Sequence, residues 1–397
     1  MRTNNRTPHP TLRLSDRLRK NLFTITILGI LITAVGLVVA PARTWPNILL
    51  ANYYLMGLGI AGALFMALLY VSNAGWATAI RRVPEAMTAA LPPSALVMIA
   101  ILFGIPTLYE WSHDSVLAAD RILQAKSGWL NVPFFTVRTF IYLAVWLALT
   151  YRIVRRSHRQ DEDGKLEHTF ANRKLSAAFI VVFAITFTLA SMDWIMSLQP
   201  HWYSTIFGIY NFSGMFLNGL AMITVLVILL RRWGPLAGVV TDSHLHDLGK
   251  LIFAFSTFWM YIWFSQYLLI WYANIPEEVR FYTLRERGGW LVLTIVNVLF
   301  NWVIPFVTLL PVWVKRNEGL LLRVCIIVMI GHWIDLFWMI LPPFMKATPA
   351  AFLWEIAPMA AAVAGFFLLT FHTLTRHRLL PVNDPYLVES LAESQHA

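Results

Sequence analysis

"LSAAFIVVFAITFTLASMDWIMSLQPHWYSTIFGIYNFSGMFLNGLAMITVLVILLRR", residues 175–232, holds two long apolar runs joined only by the link Gln199–Trp202. An α-helix rises 1.5 Å per residue, so about 20 apolar residues cross the roughly 30 Å hydrocarbon core of a bilayer. Each run reaches that length, and so short a link sends the chain straight back. The stretch therefore reads as a membrane-embedded helical hairpin.

The same pattern continues on both sides. Ten runs are long enough to span, at 22–40, 48–72, 86–109, 132–152, 175–199, 203–231, 249–273, 289–313, 320–341 and 351–373. The expected fold is an all-α integral membrane protein with ten transmembrane helices. Composition agrees: 58% of the residues are hydrophobic and 13% charged, more apolar surface than a soluble chain of this length can hide. The 17 Trp and 13 Tyr suit the two membrane–water boundaries. The first run is too long for a signal-peptide core, so it is expected to stay as a span. Cys325 is the sole cysteine, which excludes a disulfide framework, an iron–sulfur cluster held by this chain and a CxxCH haem attachment. The net charge of +10 lies mostly in short loops and reads as a topology signal, with no nucleic acid as partner. With the amino terminus inside, 23 of the 31 Lys and Arg fall on inside segments, which places both termini in the cytoplasm. The densest inside segment, 151–174, reads as a flexible polar loop.

Two carboxylates divide the chain into halves. Asp193 stands seven residues before Pro200, and Asp335 seven residues before Pro342, in spans five and nine. This repeat predicts two four-helix bundles, spans 2–5 (48–199) and spans 6–9 (200–341). Span one (22–47) and span ten (342–378) then lie outside them, and 1–21 and 379–397 are cytoplasmic end segments. An ionised Asp toward the centre of a spanning helix costs about 2.5–3.5 kcal/mol, so each needs either a partner or a task. His332 precedes Asp335 by three residues, on the same helical face. Span seven carries Ser256, Thr257, Tyr261, Gln266 and Tyr267, a set of polar groups able to hold water, with His246 and Asp247 at its inner entrance. Span eight adds Asn297 and Asn301, and span four Arg138. The candidates for a proton path or quinone site are Asp193, His332, Asp335, Tyr261, Gln266, His246 and Asp247. No catalytic residue is assigned and no metal site: "HLHD" (244–247) lacks a third ligand, and no pair of histidines at equal depth would hold a b-type haem.

"SMDWIMSLQPHWYSTIFG", "FSTFWMYIWFSQYLLIWYANIPEE" and "GHWIDLFWMILPP" strongly resemble the NrfD-like family, the membrane subunits of polysulfide reductase and its relatives. Within it, the resemblance is to the branch of smaller ten-span subunits found in alternative complex III, a bacterial quinol:cytochrome c/electron-acceptor oxidoreductase. It extends over all ten spans. It implies two four-helix bundles in the bacterial cytoplasmic (inner) membrane. The implied partners are a paralogous NrfD-like ten-span subunit, a periplasmic iron–sulfur protein, multihaem and monohaem cytochrome c subunits, and small membrane subunits. It also implies that haem c and iron–sulfur clusters reside in those partners, and that quinone or quinol (menaquinone or ubiquinone) and lipids are the ligands here. Asp193 matches the acidic position of the first bundle, and His332 with Asp335 that of the second. Many relatives have Arg where this chain has His332, which replaces a fixed charge with a group that titrates near neutral pH.

Three functions remain open on the sequence. The first is a subunit of a quinol-oxidising complex, without a redox centre of its own, that conducts protons through buried carboxylates. The second is a proton-coupled secondary transporter, against which few spans are broken and the repeat is parallel. The third is a structural membrane anchor whose polar residues only join helices.

Overall fold

In the structure of the chain, a computed structural model describing residues 12–345, 349 and 352–392, the hairpin read from 175–232 is formed by α5 (Glu167–Leu198) and α6 (Phe207–Arg232). The other spans are α1 (Asp16–Val39), α2 (Pro41–Ser72), α3 (Arg82–Leu108), α4 (Val132–Asp163), α7 (Asp242–Ala273), α8 (Gly289–Leu309), α9 (Glu318–Ile340) and α10 (Leu353–Arg376). Among the described residues ten helices are thus long and apolar enough to cross a membrane, and the chain is a multi-pass membrane protein with an all-α fold. An even number of crossings puts the two ends of the described chain on one side, called here the terminal face; the opposite side is the far face.

Helix ends follow local chemistry. Asn131 caps α4 by accepting from Phe134 N at 2.9 Å, and Asn317 caps α9 by accepting from Leu320 N at 3.0 Å. Asn73 and Asn274 adopt left-handed conformations that stop α2 and α7. The flexible loop expected over 151–174 is mostly helix. The apolar run ends near Thr150, but the chain continues helical to Asp163, turns at Gly164 (φ 69°) and resumes at Glu167. Buried Ser157 and Gln160 give that polar extension a packed side, which hydrophobicity alone does not reveal. α3 is interrupted by 3₁₀ turns at Thr88–Ala90 and Leu102–Gly104. Each precedes proline (Pro92 and Pro93, then Pro106), whose missing N–H removes the bond to the carbonyl four residues back.

α2–α5 pack as one bundle and α6–α9 as the other, while α1 and α10 pair with each other and rest on α2. The bundles meet along α2 and α6. α6 is 94% buried over its apolar window, which explains why it is hydrophobic around its whole circumference. The joint is close: a Cβ at Gly219 would stand 2.1 Å from Ala61 Cβ. Polar contacts cross it too, with Tyr53 donating to Asn211 Oδ1 (3.2 Å) and Tyr54 to Asn218 Oδ1 (3.1 Å). After α10 the chain folds back beneath both bundles. Asp384 pairs with Arg81 at 2.6 Å, and Ser390 donates to Trp76 O at 2.6 Å while lying 3.3 Å from His244 of α7.

Candidate functional site

The two repeated carboxylates are both buried, each about two turns from the far-face proline that follows it, yet they have different surroundings. Asp193 faces α4. Arg138 grips it with two bonds, Nε to Oδ2 at 2.8 Å and Nη2 to Oδ1 at 2.9 Å. Tyr142, one turn further along α4, donates to Oδ2 at 2.9 Å, and the Trp129 indole donates to Oδ1 at 2.9 Å. Each oxygen therefore accepts twice, and neither has capacity to spare. The guanidinium also donates to Trp129 O (3.0 Å) and lies 4.1 Å from the Trp129 ring and 4.3 Å from the Phe134 ring. The charge in this bundle is compensated. Beside it a cavity of about 420 Å³, walled by Trp129, Met192, Met196, Trp202 and Tyr203, opens toward the far face. Lys126 stands at its edge, donating to Pro200 O at 2.6 Å, and burial lowers the pKa of its ammonium.

Asp335 has no such cation. Its carboxylate accepts from the Tyr210 hydroxyl, from Asn297 Nδ2 at 2.7 Å and from Trp259 Nε1 at 3.2 Å, all neutral donors on three different helices. Among the described residues it forms no salt bridge. Asn297 in turn accepts from Asn301 Nδ2 at 2.6 Å, which extends the chain of amides one turn along α8. Here the backbone departs from α geometry: Leu299–Val303 is a π turn. Pro305 lacks the N–H that Asn301 O would accept, and Ser256 Oγ of α7 donates to that carbonyl at 2.6 Å instead. Proline, wide turn and serine together keep a freed carbonyl satisfied at membrane depth.

His332 lies one turn before Asp335, buried, with its ring 5.6 Å from that of Tyr54 in the other bundle. Its Nδ1 has no hydrogen-bond partner. A Cβ on Gly214 of α6 would stand 3.1 Å from that nitrogen and 3.3 Å from Asp335 Oδ2. Both polar atoms thus face the same bare piece of backbone.

The remaining sequence candidates separate. Gln266 is buried, taking a bond from Ser204 and giving one to Tyr282 (both 3.1 Å), two turns beyond Trp259 toward the far face. Tyr261 is 64% exposed on the outer side of α7, away from Asp335. Ser256 and Gln266 face inward and Tyr261 outward, so the polar groups of this span do not form one column. His246 and Asp247 sit at the terminal-face start of α7, about 18 Å along the helix from Trp259. Asp247 is paired there with Lys250 at 2.5 Å.

Tyr210, Trp259 and Gly214 were not singled out by sequence, because an aromatic or a glycine in an apolar run looks like packing. A larger omission lies at the terminal face. Arg82 pairs with Glu85 and Asp161, Arg81 lies 3.4 Å from Glu85, and Ser157 donates to Glu85 at 2.6 Å. The stacked rings of His158 and His377, 4.0 Å between centroids, adjoin this cluster. Two adjacent arginines in a loop look like a topology signal, and nothing in the sequence says that both are buried.

On the far face, a cleft of about 690 Å³ between the bundles is walled in part by Glu110, His113, Glu277, Arg280 and Pro342. His201 Nε2 lies 2.5 Å from Asp120 Oδ2 near its rim. That contact, helped by the amides of Leu123 and Ile122, holds the Asp120 carboxyl below its usual pKa.

No protein-family model matches this chain, and no match to it was found among curated proteins.

Proposed function

We propose that this chain is a membrane subunit of a quinol-oxidising complex of the alternative complex III kind, and that it carries protons through Asp335 and His332. One observation supports the proton role above others. Asp335 is a buried carboxylate held only by neutral donors, with the unpartnered Nδ1 of His332 one turn away. Such a group can take up and release a proton without dismantling an ion pair, which Asp193 cannot do. Oxidation of a quinol yields two protons with two electrons, so acceptors are needed on the way to the surface. The cleft between the bundles, which carries Glu110 and Glu277, lies on the far-face side of Asp335. The cavity beside Trp129 and Tyr203, apolar with a polar edge, is of a kind that takes a quinol or lipid headgroup.

The electrons belong to haem c and iron–sulfur clusters in the partner subunits, so the activity is that of the assembly. Purification from the native bacterial membrane, under mild detergent, tests the assignment. The chain should bring with it a paralogous ten-span protein, cytochromes c and an iron–sulfur protein; isolation on its own would favour a proton-coupled carrier. Asp335→Asn in the assembled complex should then abolish most proton release coupled to quinol oxidation. Unaltered release would leave a scaffold. The saturated Asp193–Arg138 pair favours that second reading for the first bundle, where the acid acts as a fastener between α4 and α5.

A further inference from the structure

A cavity of about 500 Å³ opens at the terminal face between α3, α4 and α10. Its floor is apolar, formed by Leu91, Pro92, Leu147 and Val154, and its mouth carries Arg155, Arg159, His158 and His377. We infer that this cavity binds the headgroup of an anionic phospholipid, with Arg155 and Arg159 on the phosphodiester and the acyl chains against the apolar floor.

Depth is the first argument. Along α4, Tyr151 follows the end of the apolar run, where an amphipathic ring belongs. Arg155 and Arg159 come one and two turns later on the same side, about 6 and 12 Å further out. The headgroup layer occupies roughly 5–8 Å beyond the hydrocarbon on each side. Arg155 therefore stands within the phosphate layer, while the Arg159 backbone lies about 4–7 Å beyond it and its long side chain, which lines the cavity, spans that distance.

Charge is the second. Neither arginine forms a salt bridge among the described residues. Two carboxylates also line the cavity. Glu85 is buried and already committed to Arg82, Arg81 and Ser157, while Glu162 is exposed at the mouth. Two unpaired arginines against one solvated glutamate leave the entrance positive. Basic pockets between transmembrane helices at the headgroup level are a known physical solution for holding anionic lipids. A zwitterionic lipid brings its own cation and gains little from such an entrance. The inference stands independently of the quinol reading, since it uses neither Asp335 nor His332.

Delipidated protein, in its native assembly, provides the test through the thermal midpoint on titration with phosphatidylglycerol or phosphatidylcholine. Phosphatidylglycerol should raise the midpoint saturably and phosphatidylcholine should not. Arg155→Gln should weaken the response about fivefold and the Arg155→Gln/Arg159→Gln pair about 25-fold, at roughly one surface cation's attraction each. Lys174→Gln with Arg316→Gln, which removes two other terminal-face cations, should leave the response unchanged. Equal responses to the two lipids, or an unaltered response in the double variant, would overturn the assignment. So would reproduction of the shift by millimolar inorganic phosphate alone, which would mean a site for soluble anions.

Discussion

Asp193→Asn and Asp335→Asn make the same chemical change at twinned positions, and the structure requires opposite outcomes. At Asp193 the substitution removes half of a buried ion pair and leaves Arg138 charged, with only a neutral amide oxygen, Trp129 O and two aromatic rings for company. Losing one partner of such a pair costs about 3–5 kcal/mol, because the survivor keeps its desolvation penalty. At Asp335 no cation is stranded. An asparagine still offers one oxygen to Asn297 and Tyr210, while its amide meets the Trp259 indole, so that one buried donor loses its acceptor. That costs about 1–3 kcal/mol. Unfolding free energies by detergent titration, measured in one detergent for both variants, should therefore place Asp193→Asn about 2 kcal/mol below Asp335→Asn. Adding Arg138→Gln to Asp193→Asn should cost less than the two changes measured separately, by about 0.5–3 kcal/mol, since residues in one pair couple. Proton-coupled turnover of the assembled complex should follow the reverse order, with Asp335→Asn the more damaging. Equal stability losses, or a coupling of zero between positions 138 and 193, would refute the division between a fastened acid and a working one.

Three further outcomes follow from the same geometry. Ser256→Ala should cost about 1–3 kcal/mol by orphaning Asn301 O, and Pro305→Ala, which restores an N–H, should make Ser256→Ala nearly silent in the double variant. In α4, Arg138 and Tyr142 stand four apart and both reach Asp193; Leu293 and Asn297 occupy the same spacing in α8, so Leu293→Arg should pair Asp335 and suppress proton release without unfolding the protein, as read by turnover beside thermal midpoint. The Asp120 carboxyl, held low first by His201 and then by backbone amides, contributes order above its ordinary value near 3.8 that is lost as pH falls through its lower folded value; amide protection factors over Arg121–Lys126, taken relative to the intrinsic exchange rate at each pH, should fall in that acid range.

The membrane fold was legible because it rests on the coarsest physical signal, the length of apolar runs against the thickness of a bilayer. All ten spans appear, and the bundle division read from Asp193 and Asp335 matches the packing of α2–α5 and α6–α9. Helix ends were less legible where polarity and packing part company. α4 continues about three turns past its apolar run because Ser157 and Gln160 are buried there, a fact held by α3 and the returning C-terminal segment. The site was readable as acids but not as partners. Arg138 and Asn297 each carried a signal as a polar residue in an apolar span, yet only the fold shows that one meets Asp193 and the other Asp335. Glu85 with Arg81 and Arg82 gave no signal at all, since charges near a span end are ordinarily solvated.

The difference between the two acids comes from their neighbours, not from their depth. In both bundles a tryptophan close to the acid donates its indole to a threonine on the adjacent helix: Trp194 to Thr139 at 3.1 Å, and Trp338 to Thr294 at 2.7 Å. Aligning those threonines sets α8 against α4, and Arg138 then falls opposite Leu293, and Tyr142 opposite Asn297. One exchange, arginine for leucine, decides whether the carboxylate on the next helix has a counter-charge. With arginine the acid and base neutralise each other and pin two helices, a stable arrangement that has no reason to exchange protons. With leucine the acid keeps only neutral donors, and its charge must be tolerated by Tyr210, Asn297 and Trp259 or cancelled by a proton. The second half therefore carries a costly group without its cheapest compensation, and at the same place it carries a π turn, a proline and a histidine with an unpartnered nitrogen. Their concentration around one carboxylate, and their lack around its twin, is the reason to look for proton chemistry in the second bundle.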